Sequence, residues 1–173
     1  MYVGHLGIAL GARGLRRDAP LWLLVVATQA CDWVQAVGCV AAPDASAMMS
    51  HSIPAVAVLA TICGLVAFGW TRRRGVAAVI AATAVSHALA DYVTGDKPTW
   101  PGGPMIGLSL YDHPVLDVLL ETLVVAVGWS LYRRSLDPRA RSRWLTWLLL
   151  VLLVGVQLAG IVKMTVFPSP KCS

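Results

Sequence analysis

The stretch GVAAVIAATAVSHALADYVTG, residues 75–95, decides the class of fold, because it is apolar and as long as a membrane span. An α-helix needs about 20 apolar residues to cross the hydrocarbon core of a bilayer. This stretch nevertheless contains His87 and Asp91, which are four residues apart and therefore share one helix face. Ionisable side chains inside a bilayer are costly, and by default they indicate a functional site.

Other apolar segments lie on both sides of this stretch, and 57% of the 173 residues are hydrophobic. These segments cover residues 2–15, 20–42, 52–71, 112–132 and 143–167. The first is too short to span a bilayer, whereas the others are long enough. The sequence therefore predicts an all-α, polytopic transmembrane helical bundle with five full spans and a short N-terminal helix. We expect a single integral membrane domain over residues 1–173.

Every arginine falls in one of three short clusters, at residues 13–17, 72–74 and 133–143. The alternate loops, around residues 43–51 and 96–111, contain only one basic residue, Lys97. The positive-inside rule then predicts cytoplasmic arginine loops and extracytoplasmic termini. Because these clusters account for the net charge of +5, we expect no nucleic-acid partner.

Further histidines and acids lie inside or at the mouth of the apolar segments. They are His5, Asp32, His51, His113, Asp117 and Glu121. At a rise of about 1.5 Å per helical residue, Asp32, His87 and Glu121 all lie roughly 18 Å from the side of the membrane where the arginine clusters are expected. His113, Asp117 and Glu121 recur every four residues and form one stripe. The apolar segments offer no basic side chain at this depth, so we expect a bound metal ion or protons to supply positive charge.

Imidazole and carboxylate together suit zinc, manganese or iron, whereas all-oxygen sites suit magnesium or calcium. We expect a divalent transition metal, with zinc preferred, and two metals are feasible because two-metal sites recur in phosphoester hydrolases. The candidate ligands are His5, Asp32, His51, His87, Asp91 and His113. Asp117 and Glu121 are the candidate catalytic residues, with Asp117 a ligand or the general base. Alternatively, His113 is only solvated and Asp117 is a protonated packing residue.

Four motifs occur in a fixed order along the chain: GHLGIALGA at residues 4–12, QACDW at 29–33, SHS at 50–52 and SHALADYVT at 86–94. Together with the PGGP stretch at 101–104 and Glu121, they resemble a family of membrane-bound, metal-dependent hydrolases whose best-known members are under LexA control. The resemblance implies a helical bundle akin to zinc-dependent phospholipase C, located in the bacterial inner membrane. It also implies metal ligands at His5, Asp32, His51, His87 and Asp91, with Glu121 orienting a ligand histidine.

The chain departs from that family at one position. Many relatives have a further histidine shortly after the His-x3-Asp-x2-Thr motif, where this chain reads Gly95-Asp96-Lys97. Either the ligand has moved to His113, or the site has lost a ligand.

These features predict a membrane-embedded, metal-dependent hydrolase that acts on a lipid-linked substrate, a phosphoester, at the extracytoplasmic leaflet. Membrane lipid is the expected partner. One alternative is a transporter of protons or divalent metal that uses the same residues as a relay. Another is a small non-catalytic subunit, in a homo-oligomer or a larger membrane complex.

Overall fold

The computed structural model of the chain describes residues 3–41, 47–141 and 144–166, and most of them are helical. The α-helices of this part are α1 (Gly4–Leu15), α2 (Leu21–Ala41), α3 (Ile53–Thr71), α4 (Arg74–Thr94), α5 (Pro114–Ser135), α6 (Pro138–Arg141) and α7 (Trp144–Val166). Two short 3-10 helices, Ala47–His51 and Leu110–Asp112, lead into α3 and α5. The prediction of an all-α fold is confirmed.

Four of these helices are long and apolar enough to cross a membrane, namely α2 over Leu21–Gly38, α3, α4 and α5. Large apolar side chains such as Leu65, Leu89 and Leu123 are exposed on their outer faces, as expected where lipid surrounds a helix. The chain is therefore an integral membrane protein. The fifth full span that the sequence predicts is not established, because the apolar part of α7 described here is the shorter stretch Trp144–Gly160.

Helix α1 lies directly against α5, and glycines permit this close approach. A Cβ atom at Gly7 would lie 2.8 Å from the Val125 Cα, and a Cβ at Gly128 would overlap the Gly7 carbonyl. Gly11 faces the same glycine of α5, with its Cβ position 3.4 Å from the Gly128 Cα. Small residues allow two membrane helices to pack backbone to backbone. The glycines of α1 thus form the face against which α5 packs.

Helix α4 contacts α1, α2 and α3, and these four helices share an apolar core. Its fully buried members include Ala9, Leu24, Ala67 and Ile80, one from each helix. Along each helix, these core residues lie between the arginine cluster and the histidine or aspartate of interest. The buried polar residues of α1 to α4 are therefore concentrated in one half of the bundle, and a packed apolar layer separates them from the arginine end.

The arginine clusters lie together at that end. Asp18, in the loop after α1, pairs with Arg16 and also with Arg73 in the α3–α4 turn, at 3.1 Å from its Nη1 atom. Desolvation alone would raise the pKa of the Asp18 carboxyl, but the hydrogen bonds and charges of Arg73 and Arg16 lower it below its usual value. Gly14 lies against Leu131, next to the third cluster. One end of the bundle is thus basic.

A small hairpin covers the opposite end. Strands β1 (Lys97–Pro98) and β2 (Met105–Ile106) pair antiparallel, so the prolines and glycines between them form a loop, as predicted. The hairpin is fixed to α3, because the Ile53 amide donates to the Thr99 carbonyl at 3.1 Å. It is also fixed to α4, because the Tyr92 hydroxyl donates to the Pro98 carbonyl at 3.0 Å.

Candidate metal centre

Helix α4 provides the first two residues of the centre. His87 and Asp91 are one helical turn apart, and both are buried although they lie in a membrane span. The His87 Nε2 atom is 3.5 Å from Asp91 Oδ2. The four-residue spacing places both side chains on the face of α4 that contacts α1 and α2.

His51 and Asp32 complete a compact cluster with this pair. His51 ends the 3-10 helix before α3, and its Nε2 atom is 3.0 Å from Asp91 Oδ2 and 3.3 Å from His87 Nε2. Asp32 of α2 approaches the same imidazole, with its Oδ1 atom 3.3 Å from His51 Nε2. One ligand atom from each of the four residues lies within 4.8 Å of all the others. Two imidazoles and two carboxylates at this separation could hold one metal ion.

His5 of α1 lies beside this cluster. Its Nε2 atom is 3.1 Å from Asp91 Oδ1, and its ring stacks on that of His87 with 3.9 Å between centroids. Asp91 therefore bridges two groups of imidazoles, with Oδ1 facing His5 and Oδ2 facing His51 and His87. Of the six candidate ligands, the structure brings together these five.

The hydrogen bonds of the Nδ1 atoms show how well each imidazole is oriented to bind a metal through Nε2. His51 Nδ1 is 3.0 Å from the Ser50 hydroxyl, which can accept its proton and leave Nε2 free as a ligand. Such outer hydrogen bonds orient ligand histidines in metal sites. The Nδ1 atoms of His5 and His87 are buried and have no hydrogen-bond partner. His51 is therefore the best oriented of the three imidazoles, and all three Nε2 atoms point to Asp91.

The surroundings of His51 favour positive charge. Burial would lower the pKa of its imidazole, but hydrogen bonds to the carboxylates of Asp32 and Asp91 raise it above the usual value. The same two carboxylates would attract a metal cation. The donor set therefore fits a divalent transition metal.

Lys97 is a member of the site that the sequence does not predict. The hairpin brings its Nζ atom to 3.4 Å from Asp91 Oδ2, and only 12% of the side chain is exposed. The expectation that the buried acids lack a basic partner is therefore incorrect, because the partner comes from a loop. The available signal in the sequence is that Lys97 is the only lysine or arginine between residues 75 and 132.

The α5 stripe, formed by His113, Asp117 and Glu121, lies outside the four-residue cluster. Glu121 is buried, and its Oε2 atom accepts hydrogen bonds from the Val3 and Gly4 amides at 3.0 and 3.1 Å. It therefore caps the first turn of α1. In this way it helps to fix the backbone that carries His5, without contacting the imidazole in these two hydrogen bonds. Asp117 is also buried, and its Oδ1 atom has no hydrogen-bond partner. His113 is exposed at the start of α5. Among the described residues, the four-residue cluster contains none of these three side chains.

Comparison with family models, curated proteins and solved structures gave no match to this chain. The resemblance to membrane-bound hydrolases thus stays a prediction from the motifs, and the function has to be argued from the centre itself.

Proposed function

We propose that this chain is a membrane-embedded, metal-dependent hydrolase that acts on a lipid-linked phosphoester at the extracytoplasmic leaflet. The observation that carries the proposal is the cluster of Asp32, His51, His87 and Asp91, which has three members inside membrane spans and His51 just before the start of another. Mixed imidazole and carboxylate donors are typical of zinc enzymes. When bound, such an ion supplies Lewis-acid activation for hydrolysis at neutral pH.

The differing exposure of the two carboxylates suggests separate roles. The Asp91 side chain is 4% exposed and touches all three imidazoles, which suits a structural ligand. The Asp32 side chain is 40% exposed, so it is the more accessible of the two carboxylates. We assign Asp32 as the carboxylate that accepts a proton from the attacking water, since a general base must be within hydrogen-bonding reach of that water.

Lys97 supports an anionic substrate. In the described structure its ammonium neutralises Asp91 at 3.4 Å. When a cation occupies the centre, the attraction between this ammonium and the carboxylate is reduced. A lysine on a loop at the mouth of the site then serves as a point charge for a phosphate oxygen.

One-sided access favours an enzyme over a transporter. A transport path for protons or metal would have to cross the fully buried layer that includes Leu24, Val76 and Ile80. An enzyme requires access only from the end covered by the hairpin. The imidazoles and carboxylates would then serve chemistry at the membrane surface instead of conduction through it.

The arrangement of charge also supports one orientation in the membrane. The basic end of the bundle faces the cytoplasm under the positive-inside rule, so the hairpin and the centre face the opposite side. In a variant without native cysteines, an impermeant maleimide should label Trp100→Cys in intact cells and should not label Arg73→Cys. The reverse pattern would overturn the proposed leaflet.

The decisive experiment measures metal and activity in the same preparations. Wild-type protein expressed in metal-replete medium should contain at least one transition-metal ion per chain by mass spectrometry. It should release phosphate or a phosphorylated headgroup from phospholipids or polyprenyl phosphates, and chelation should abolish this release. Asp32→Asn should lose activity, whereas the matched change Asp96→Asn, at an exposed aspartate just before the hairpin, should keep both properties.

Two outcomes would contradict the proposal. Wild-type protein that is normally stable but binds no metal would favour the alternative of a proton relay over the hydrolase. Metal-loaded protein that is inactive on the whole lipid panel would favour a role as a non-catalytic subunit.

A further inference from the structure

An apolar groove of about 500 Å³ runs between α3 and α4 at the hairpin end. Ile53 and Ala57 of α3 form one wall, and Val85 and Leu89 of α4 form the other. Ile106 of strand β2 closes its outer end. The volume falls within the roughly 300–1,000 Å³ of small-molecule sites.

The groove ends close to the metal centre. Its polar end is Tyr92, the residue after Asp91, and the Tyr92 hydroxyl lies 3.4 Å from the His51 carbonyl oxygen. Its inner wall includes Val56 and Ala88, which are buried in one small cluster with Cys31. Cys31 and Ala88 are the sequence neighbours of Asp32 and His87, so the inner wall of the groove lies close to the elements that carry the centre.

Lipid is the medium that this groove meets. Both of its helices qualify as membrane spans, and their outward side chains, such as Val58 and Leu89, are exposed and apolar. A second groove on the same helix pair, about 440 Å³ in volume, lies near Phe68 and Arg74 at the basic end. Of the two, the groove beside the centre is the one whose polar end, Tyr92, directly follows a residue of the four-residue cluster in the chain.

We propose that the groove beside the centre holds one hydrocarbon chain of a lipid whose phosphoester lies at the metal centre, an inference that rests on the proposed function. The walls offer a polar ligand no partner except Tyr92, whereas a hydrocarbon chain needs none. Lipid tails are as apolar as the groove, so transfer from the bilayer supplies little driving force. The groove therefore positions the headgroup and selects the chain, and the centre supplies the affinity for the headgroup.

Two alanine positions allow a matched test. Ala57 lines this groove and Ala78 lines the groove at the basic end, and both are exposed on the same helix pair. Ala57→Phe should fill the first groove, and Ala78→Phe should fill the second. Leu89→Trp is a second filling variant, for the case in which Ala57→Phe fails to fold.

The probe is a phospholipid with a photoactivatable diazirine in one acyl chain, incorporated in nanodiscs with the protein. Mass spectrometry should find adducts on Ile53 and Leu89. Ala57→Phe should reduce the yield of these adducts about tenfold. One extra methylene in an apolar pocket already changes binding by at least about that factor. Ala78→Phe should leave them unchanged.

Labelling and hydrolysis distinguish the two proposals. The proposal that the groove binds a lipid chain is contradicted if adducts spread evenly over the exposed helix faces and do not respond to Ala57→Phe. This holds even where lipid is hydrolysed. Labelling confined to the groove and lost in Ala57→Phe supports chain binding, even where the hydrolysis assay is silent and the proposed reaction fails. Where both succeed, Ala57→Phe should lower kcat/KM for the long-chain lipid and leave that for a short-chain, water-soluble analogue unchanged.

Discussion

Replacing Glu121 by glutamine should destabilise the protein even when no metal is present. Its carboxylate is 2% exposed and accepts two backbone hydrogen bonds, from Val3 at 3.0 Å and from Gly4 at 3.1 Å. These amides begin α1 and would otherwise have no intrahelical partner. The negative charge also complements the positive end of the helix dipole. Glu121 therefore holds in place the helix that carries His5.

The size of the effect follows from these two bonds. A hydrogen bond to a charged group contributes about 1.5–3 kcal/mol. Glutamine keeps one acceptor oxygen but loses the charge, and neutral bonds are about half as strong as charge-assisted ones. Glu121→Gln should therefore lower the free energy of unfolding by about 1.5–3 kcal/mol, taking both bonds together.

Asp117→Asn is the matched control, since it makes the same chemical change one turn earlier on α5. The Asp117 Oδ1 atom is buried without a hydrogen-bond partner, so removal of its charge should be neutral or stabilising. Reversible unfolding in mixed micelles, with chelator present, measures both variants. Unchanged stability of metal-free Glu121→Gln would refute the capping argument and favour a role confined to the loaded centre.

The other predictions concern the helix contact and the edges of the site. Gly128→Ala should destabilise the fold by about 1–3 kcal/mol because its methyl group would overlap the facing backbone, whereas Gly155→Ala, with open space around it, should not; chemical unfolding of the pair measures this. Ser50→Ala should weaken metal affinity about 10- to 100-fold by releasing the ring of His51, as measured by competition with a chelating dye. His113→Ala should leave metal content unchanged, and a loss of metal there would place a sixth ligand at the mouth of α5.

Helices could be predicted from this sequence because the types of residue at their ends mark where they begin and end. The segment expected at residues 75–95 is Arg74–Thr94, and the one expected at 52–71 is Ile53–Thr71. Each is an apolar run that ends at arginines or at a proline-rich loop, and such boundaries require no tertiary information. The pairing of His87 with Asp91 is equally local, since one helical turn dictates it.

The features that the sequence did not predict depend on contacts between distant segments. Lys97 reaches Asp91 because the hairpin is bonded to the start of α3, and no periodicity encodes that path. The four-residue spacing places the α5 stripe on one helix face, but it does not identify the helix that packs against this face. Close packing of Gly128 on Gly7 turns the stripe towards the beginning of α1, where Glu121 finds backbone amides.

The capping of α1 by α5 has a consequence for biogenesis. Helix α1 is 12 residues long, about 18 Å, which is shorter than the roughly 30 Å hydrocarbon core it has to enter. Its cap lies 117 residues further along the chain, so at about 5–20 residues per second the ribosome needs roughly 6–23 s to supply it. Until then α1 has neither its cap nor its glycine partner. His5 is therefore made before the other candidate ligands and is fixed in place after them, once α5 has entered the membrane.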